Sequence, residues 1–438
     1  MGAFALRATI VQAPEPGRFE TVPDAVITVE DGWIAAIEAG GGGEVDVTIG
    51  AVDGVGSGAV LVPGLVDLHV HAPQFPQLGT GLDLPLERWL FDYTFPLEAR
   101  FADTAWAIRV WDSLVPALLA NGTTTAVYYG TTHVDATTAL ADACRRHGQR
   151  AWVGRVGMDH PEQTPEWYRD ATAVDGVAAS AASISAIRQI DPAGDLVRPI
   201  VTPRFVPACT DELLAGLGEL AADTGALVQT HCSESDWEHG HVIDRCGVHD
   251  AAALDGFGLL APGTVLAHSV HLDDADRALL VARGAGVAHC PLSNAYFGNG
   301  VFPLRRALEA GVKVGLGTDI AGGPSASLLE NAAATVTSSR MLRDGVDIDV
   351  SAGERPRPDA AVDAATALWL ATLGGAEVLG EPIGLLEPGR RFDAVALRID
   401  RFGTWPEVDD DDRRAEKLVR LARAADVDAV WVQGQQVV

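Results

Sequence analysis

The cysteines offer no arrangement that could staple a fold. Cys144, Cys209, Cys232, Cys246 and Cys290 are odd in number and show no paired spacing, which excludes a disulfide framework and a cysteine zinc site and leaves reduced, mostly buried thiols. Positive charge is scarce as well: 32 Lys and Arg stand against 60 Asp and Glu, a formal net charge of −28. With no basic stripe to offset it, that charge repels a phosphate backbone and excludes nucleic acid as a partner. No uninterrupted apolar run reaches the length of a membrane span, so no membrane partner is expected. The first seven residues lack the apolar core and cleavage site of a secretory signal and carry no lipidation pattern. The expectation is a soluble, cytoplasmic globule.

What is present is a chain of 438 residues with 47% hydrophobic content, enough for one large domain with an attachment. Its most telling stretch is Leu65-Val66-Asp67-Leu68-His69-Val70-His71, which reads as a buried strand between Val62-Pro63-Gly64 and Ala72-Pro73-Gln74. Residues two apart on a strand point the same way, so His69 and His71 can reach one point in space. A lone His-x-His is weak, since such pairs are often satisfied polar groups near a core. Three further apolar runs, however, end in His231, His268 and Asp319. Neutral imidazoles with one carboxylate suit zinc or ferrous iron, and an enzyme needs a coordination position left open for water. His69, His71, His231 and Asp319 supply such a set, and His268 can stand beside the water.

Around these runs, strands and helices alternate. Helices are predicted over 106–120, 140–147, 177–190, 212–222, 275–282 and 304–310, and strands end near 70, 129, 156, 204, 231, 268, 289 and 318. Eight such strands indicate a (β/α)8 TIM-like barrel, whose active site lies at the C-terminal strand ends, where every candidate ligand sits. Two β-rich runs around Asp31-Gly32 read as a hairpin, and runs 393–397 and 427–432 as strands. These ends of the chain are expected to form a small β-sandwich domain from 1–61 and 381–438, with the barrel over 62–380. The glycine-rich stretches 40–43 and 54–58 match no phosphate loop and read as turns.

Segment 72–100 interleaves four prolines with five aromatics and reads as a long loop serving as a lid. Helices are expected over 328–343 and 360–378, with a surface loop between them. The run Asp409-Asp410-Asp411-Asp412 reads as a solvated loop without function. Glu234 follows His231 closely enough to face the same cavity, where a carboxyl beside an activated water can shuttle protons. Arg204 and Phe205, at the end of the fourth strand, place a guanidinium and a ring at the cavity mouth, a fork for a carbonyl oxygen and a face for a flat ring. His289 is read as a neighbour of the ligands. His160-Pro161-Glu162 is discarded as a zinc motif because no Pro-Cys-x-x-Cys accompanies it.

Assembled, Pro-Gly-Leu-Val-Asp-Leu-His-Val-His with His231, His268 and Asp319 resembles the amidohydrolase superfamily in its metal-dependent aminohydrolase branch. Over nearly the whole length it is similar there to the guanine deaminase family, through 69–74, 82–86, 93–96, 121–125, 199–205, 288–294 and 317–323. The resemblance implies one zinc ion, with iron as an alternative, on His69, His71, His231 and Asp319, and His268 hydrogen-bonding the water. It further implies Glu234 as proton shuttle, Gln74, Arg204 and Phe205 as contacts to a small-molecule purine base, a homodimer, and hydrolysis of guanine to xanthine and ammonia. The sequence departs from the family at Tyr296-Phe297-Gly298-Asn299 and in an insertion at 346–358, near or above the substrate. A pterin, 8-oxoguanine or triazine therefore stays open as the substrate. A non-catalytic barrel predicts gaps in the ligand or shuttle set, and there are none.

Overall fold

The computed structural model describes residues 2–41, 44–50, 58–81, 83–403, 405 and 407–438. Eight parallel strands, separated by helices, close into a barrel: β1 (Leu65–His71), β2 (Thr123–Tyr129), β3 (Arg150–Gly154), β4 (Val197–Pro203), β5 (Leu227–Cys232), β6 (Val265–His268), β7 (Gly286–His289) and β8 (Lys313–Leu316). Pairing runs round in chain order and shuts where Leu316 of β8 lies opposite Asp67 of β1. Every residue of β1 and β2 is buried, because helices cover the barrel outside and side chains fill it inside. That double burial is why these strands read as continuous apolar runs rather than alternating ones.

The helices start and stop on local chemistry. The Asp103 side chain accepts from the backbone N–H groups of Ala105 and Trp106 to open Thr104–Ala120. Thr210 does the same for Leu213 at the head of Asp211–Thr224, which Gly225 closes in the left-handed conformation. The helix expected from 140 begins six residues earlier, at Val134, since its first turn carries polar residues that dilute the apolar period.

Both chain ends build one mixed sheet. Phe4–Glu15, Arg18–Glu30, Trp33–Ala39, Val47–Thr48 and Ala59–Pro63 join Ala394–Arg398, Val427–Val432 and Gln435–Gln436. The hairpin at Asp31-Gly32 is present, both residues at positive φ (48° and 81°) as a two-residue turn requires. Ala59–Pro63 pairs along Ala394–Arg398 and hands the chain through Gly64 directly into β1, so the sheet anchors the strand that carries His69 and His71.

Two expectations need correction. Segment 72–100 is not an irregular loop: it holds 3-10 turns at Ala72–Gln77 and Arg100–Ala102, helices at Leu86–Trp89 and Phe95–Ala99, and a π turn at Leu90–Thr94. The acidic run is not a solvated loop either. Asp410 caps helix Asp411–Leu421 by accepting from Arg413 N–H, and Asp411 and Asp412 lie in its first turn, where the helix dipole favours them. Asp409 is buried and paired with Lys417 at 2.5 Å. Of the glycine-rich stretches, Gly42, Gly43 and 54–57 lie outside the described residues, as does Leu82. Among the described residues no helix is long and apolar enough to cross a membrane.

Candidate active site

The C-terminal ends of β1, β5 and β6 and the loop after β8 bring His69, His71, His231, His268 and Asp319 together. His71 and His231 face each other at 3.0 Å between their Nε2 atoms. Asp319 Oδ1 lies 3.2 Å from His69 Nε2 and 3.5 Å from His71 Nε2, and its Oδ2 3.8 Å from His268 Nε2. All five are buried. Burial pushes the imidazoles of His69, His71 and His231 well below their ordinary pKa, and neighbouring imidazoles add to it. Neutral rings with in-plane lone pairs are what a metal takes.

The backbone supports the convergence at some cost in strain. His268 and Asp319 sit at φ of 65° and 51°, which side chains adopt only where the surroundings impose it. Asp67 contributes to that: its buried carboxyl accepts from Thr318 N–H at 2.9 Å, Thr318 Oγ1 at 2.5 Å and His69 N–H at 3.2 Å, tying the His69 backbone to the turn before Asp319. Burial raises this carboxyl to about 7. His231 Nδ1 lies 2.5 Å from the Arg204 carbonyl and His268 Nδ1 2.9 Å from Asn294 Oδ1, so each ring donates outward and turns Nε2 to the centre. The Nε2 atoms of His69 and His268 are buried and make no hydrogen bond within the protein, although Asp319 lies close to both. Such orphaned acceptors, converging with a carboxylate, fit a divalent cation.

Beside them lies a half-open cavity lined by Gln74, Leu86, Trp89, Leu90, Arg204, Phe205, Glu234 and Phe297 as well as the cluster. Glu234, expected at this cavity, is there, its Oε2 3.8 Å from His268 Nε2. Burial first, and Asp319 second, push its pKa well above that of an ordinary carboxyl, the direction that suits a proton donor. The helical segment 72–100 forms the roof, with Trp89 packed on Phe297 at 5.3 Å between ring centroids.

Gln74, Arg204 and Phe205 all reach the cavity, with one correction. The Arg204 guanidinium is buried rather than at the mouth, and its fork is already engaged: Nη1 donates to Glu98 Oε2 at 2.6 Å and Nη2 to Oε1 at 3.1 Å. Glu98 is a residue that sequence reasoning missed, and so is Asn299, which donates to Glu234 Oε1 at 3.2 Å. His289 stands apart from the groups of ligand-type atoms among the described residues. It is buried outside the cluster, its pKa lowered to about 3 by burial.

A sequence profile of the amidohydrolase family matches residues 60–437. A probable guanine deaminase of Schizosaccharomyces pombe is 37% identical over 86% of this chain and 71% of its own length. Among solved structures, guanine deaminase from C. acetobutylicum with guanine in its active site superposes with a TM-score of 0.89 at 28% identity, covering 99% of this chain and 100% of that one. An adenosine deaminase of Xanthomonas campestris with bound zinc reaches a TM-score of 0.81 at 26% identity over 99% and 92%. By the family profile over most of its length and by its likeness to these relatives, the chain belongs to the amidohydrolase family, among its guanine deaminases.

Proposed function

We infer that the chain hydrolyses guanine to xanthine and ammonia, within a catalytic barrel over 62–380 flanked by 1–61 and 381–438. The observation that carries this reading is one cavity whose lining joins the metal-type ligands to the Glu234 carboxyl and to the donors of Arg204 and Gln74. His69, His71, His231 and Asp319 would hold the metal, and three imidazoles with one carboxylate favour zinc over iron. A bound divalent cation supplies the Lewis acidity that makes water nucleophilic near neutral pH.

The chain's own residues do the rest. Asp319, 3.8 Å from His268 Nε2, accepts the proton of the attacking water through Oδ2 while His268 holds that water in line. Glu234 donates its proton to the ring nitrogen next to the amine-bearing carbon, then relays the water's first proton from Asp319 to the departing nitrogen, which leaves as ammonia while the second proton of the added hydroxyl returns to Glu234 as the new carbonyl forms. Arg204 and Gln74 orient the ring through its carbonyl oxygen, and Phe205 packs against its face. Trp89 of the roof and Phe297 of the loop after β7 pack together over the cavity and exclude bulk water. A cytoplasmic homodimer belongs to the same reading; light scattering checks the second half of it.

Purified without chelators, the protein is expected to hold about one divalent ion per chain and to convert guanine to xanthine. Chelation should abolish the activity and added zinc restore it. A metal-loaded protein that leaves guanine untouched but deaminates a pterin or triazine would refute the substrate assignment.

A further inference from the structure

Glu98 is 1% exposed and lies behind the cavity wall, where the mechanism gives it no proton to move. It sits on the short helix Phe95–Ala99, one turn after Phe95, so both project from one face. The Phe95 ring lies 4.9 Å under the Arg204 guanidinium, while the Glu98 carboxylate takes the edge of the same group through two hydrogen bonds. Glu98 Oε1 also accepts from Gln74 Nε2 at 2.9 Å, and Gln74 Oε1 accepts from Ala321 N–H at 3.1 Å. One buried carboxylate therefore fixes both residues inferred to read the ring, and it brings a negative charge against the Arg204 guanidinium at the cavity wall.

We propose that Glu98 is a positioning and specificity-determining residue that makes the cavity select a neutral ring. It aims the remaining donors of Arg204 and Gln74 at a carbonyl oxygen and cancels the Arg204 charge, so that the site does not become an anion trap. This matters because substrate and product differ in acidity. Exchanging the amino group for a second carbonyl makes the ring N–H groups more acidic, so in mildly alkaline buffer guanine is neutral while xanthine is largely an anion. An uncompensated guanidinium would hold the product and slow the next turnover.

The proposal rests on the guanine reading, and its test separates the two. Glu98→Gln keeps the shape but offers one acceptor oxygen where three donors now converge, and it removes the charge. In mildly alkaline buffer, the KM for guanine is expected to rise roughly ten- to hundredfold, the scale of a lost hydrogen bond to a charged group. The dissociation constant of xanthine, measured by calorimetry, should fall, while metal content stays that of wild type. A purely structural role would weaken both ligands together. Glu98→Asp, which keeps the charge one methylene back, should raise the KM without tightening xanthine, and it serves if the Gln variant does not fold. Xanthine binding that is unchanged or weaker in Glu98→Gln, or equally tightened in Glu98→Asp, overturns the proposal. Failure of wild type to turn over guanine overturns the guanine reading instead, and xanthine binding by the variants still reports on the charge.

Discussion

Glu234→Gln is expected to lower kcat for guanine by roughly a hundredfold or more, the scale of losing a general acid, with metal content and melting temperature unchanged. The reason lies in what the side chain can do at its position. Glu234 is buried, and that burial, with Asp319 beside it, favours the protonated carboxyl. An amide of the same shape can still donate a hydrogen bond to the ring nitrogen, but it cannot give up the proton there or carry a second one to the leaving amine. Ground-state contacts are largely preserved, so KM should move little while kcat collapses, the signature of an interaction made in the transition state. Asn299 would still find an oxygen to donate to, which keeps the loop after β7 in place. A near-normal rate in this variant would remove Glu234 from the proton path.

Arg204→Ala is expected to act on the other parameter. Guanine presents a carbonyl oxygen where adenine has an amino group, and a guanidinium only donates hydrogen bonds. The KM for guanine should rise by about a hundredfold, the upper scale for losing a charged donor, while metal content stays constant. The His231 ring keeps its anchor, because that contact is to the Arg204 backbone carbonyl rather than to the side chain. Part of the loss comes from Glu98, whose buried carboxylate is left without its partner. Comparison with 2-aminopurine, which lacks the oxygen, isolates the reading of the carbonyl: wild type prefers guanine, and the variant should lose most of that preference. If the preference survives in full, another group reads the oxygen.

The convergence of the His69, His71, His231, His268 and Asp319 side chains was legible because each closes an apolar strand run, a pattern that period-two geometry and barrel closure bring to one point. His69 and His71 needed only the strand period; His231, His268 and Asp319 needed the count of eight strands. What escaped was set by contacts between distant segments. Glu98 lies 24 residues from Gln74 and 106 from Arg204, and it sits in a proline- and aromatic-rich segment that reads as loop. Its helices form because the roof packs on the barrel, as Trp89 does on Phe297, not because their own periodicity demands it. Asn299 lies where the sequence leaves the family pattern, so no motif pointed to it. The acidic run was misread for a different reason: four like charges suggest repulsion, yet at a helix start they meet free N–H groups, and Lys417 two turns on pairs with Asp409. That cap was available in the sequence, in the apolar positions Ala415, Leu418 and Val419 that follow it.

The central claim is that water attacks the amine-bearing ring carbon and ammonia leaves. Its most direct test is the mass of the xanthine formed from unlabelled guanine in heavy-oxygen water. The xanthine is expected to carry one heavy oxygen, on the carbon that bore the amino group, with one ammonia released per turnover. Xanthine without the label, or guanine recovered unchanged by metal-loaded protein, would contradict it.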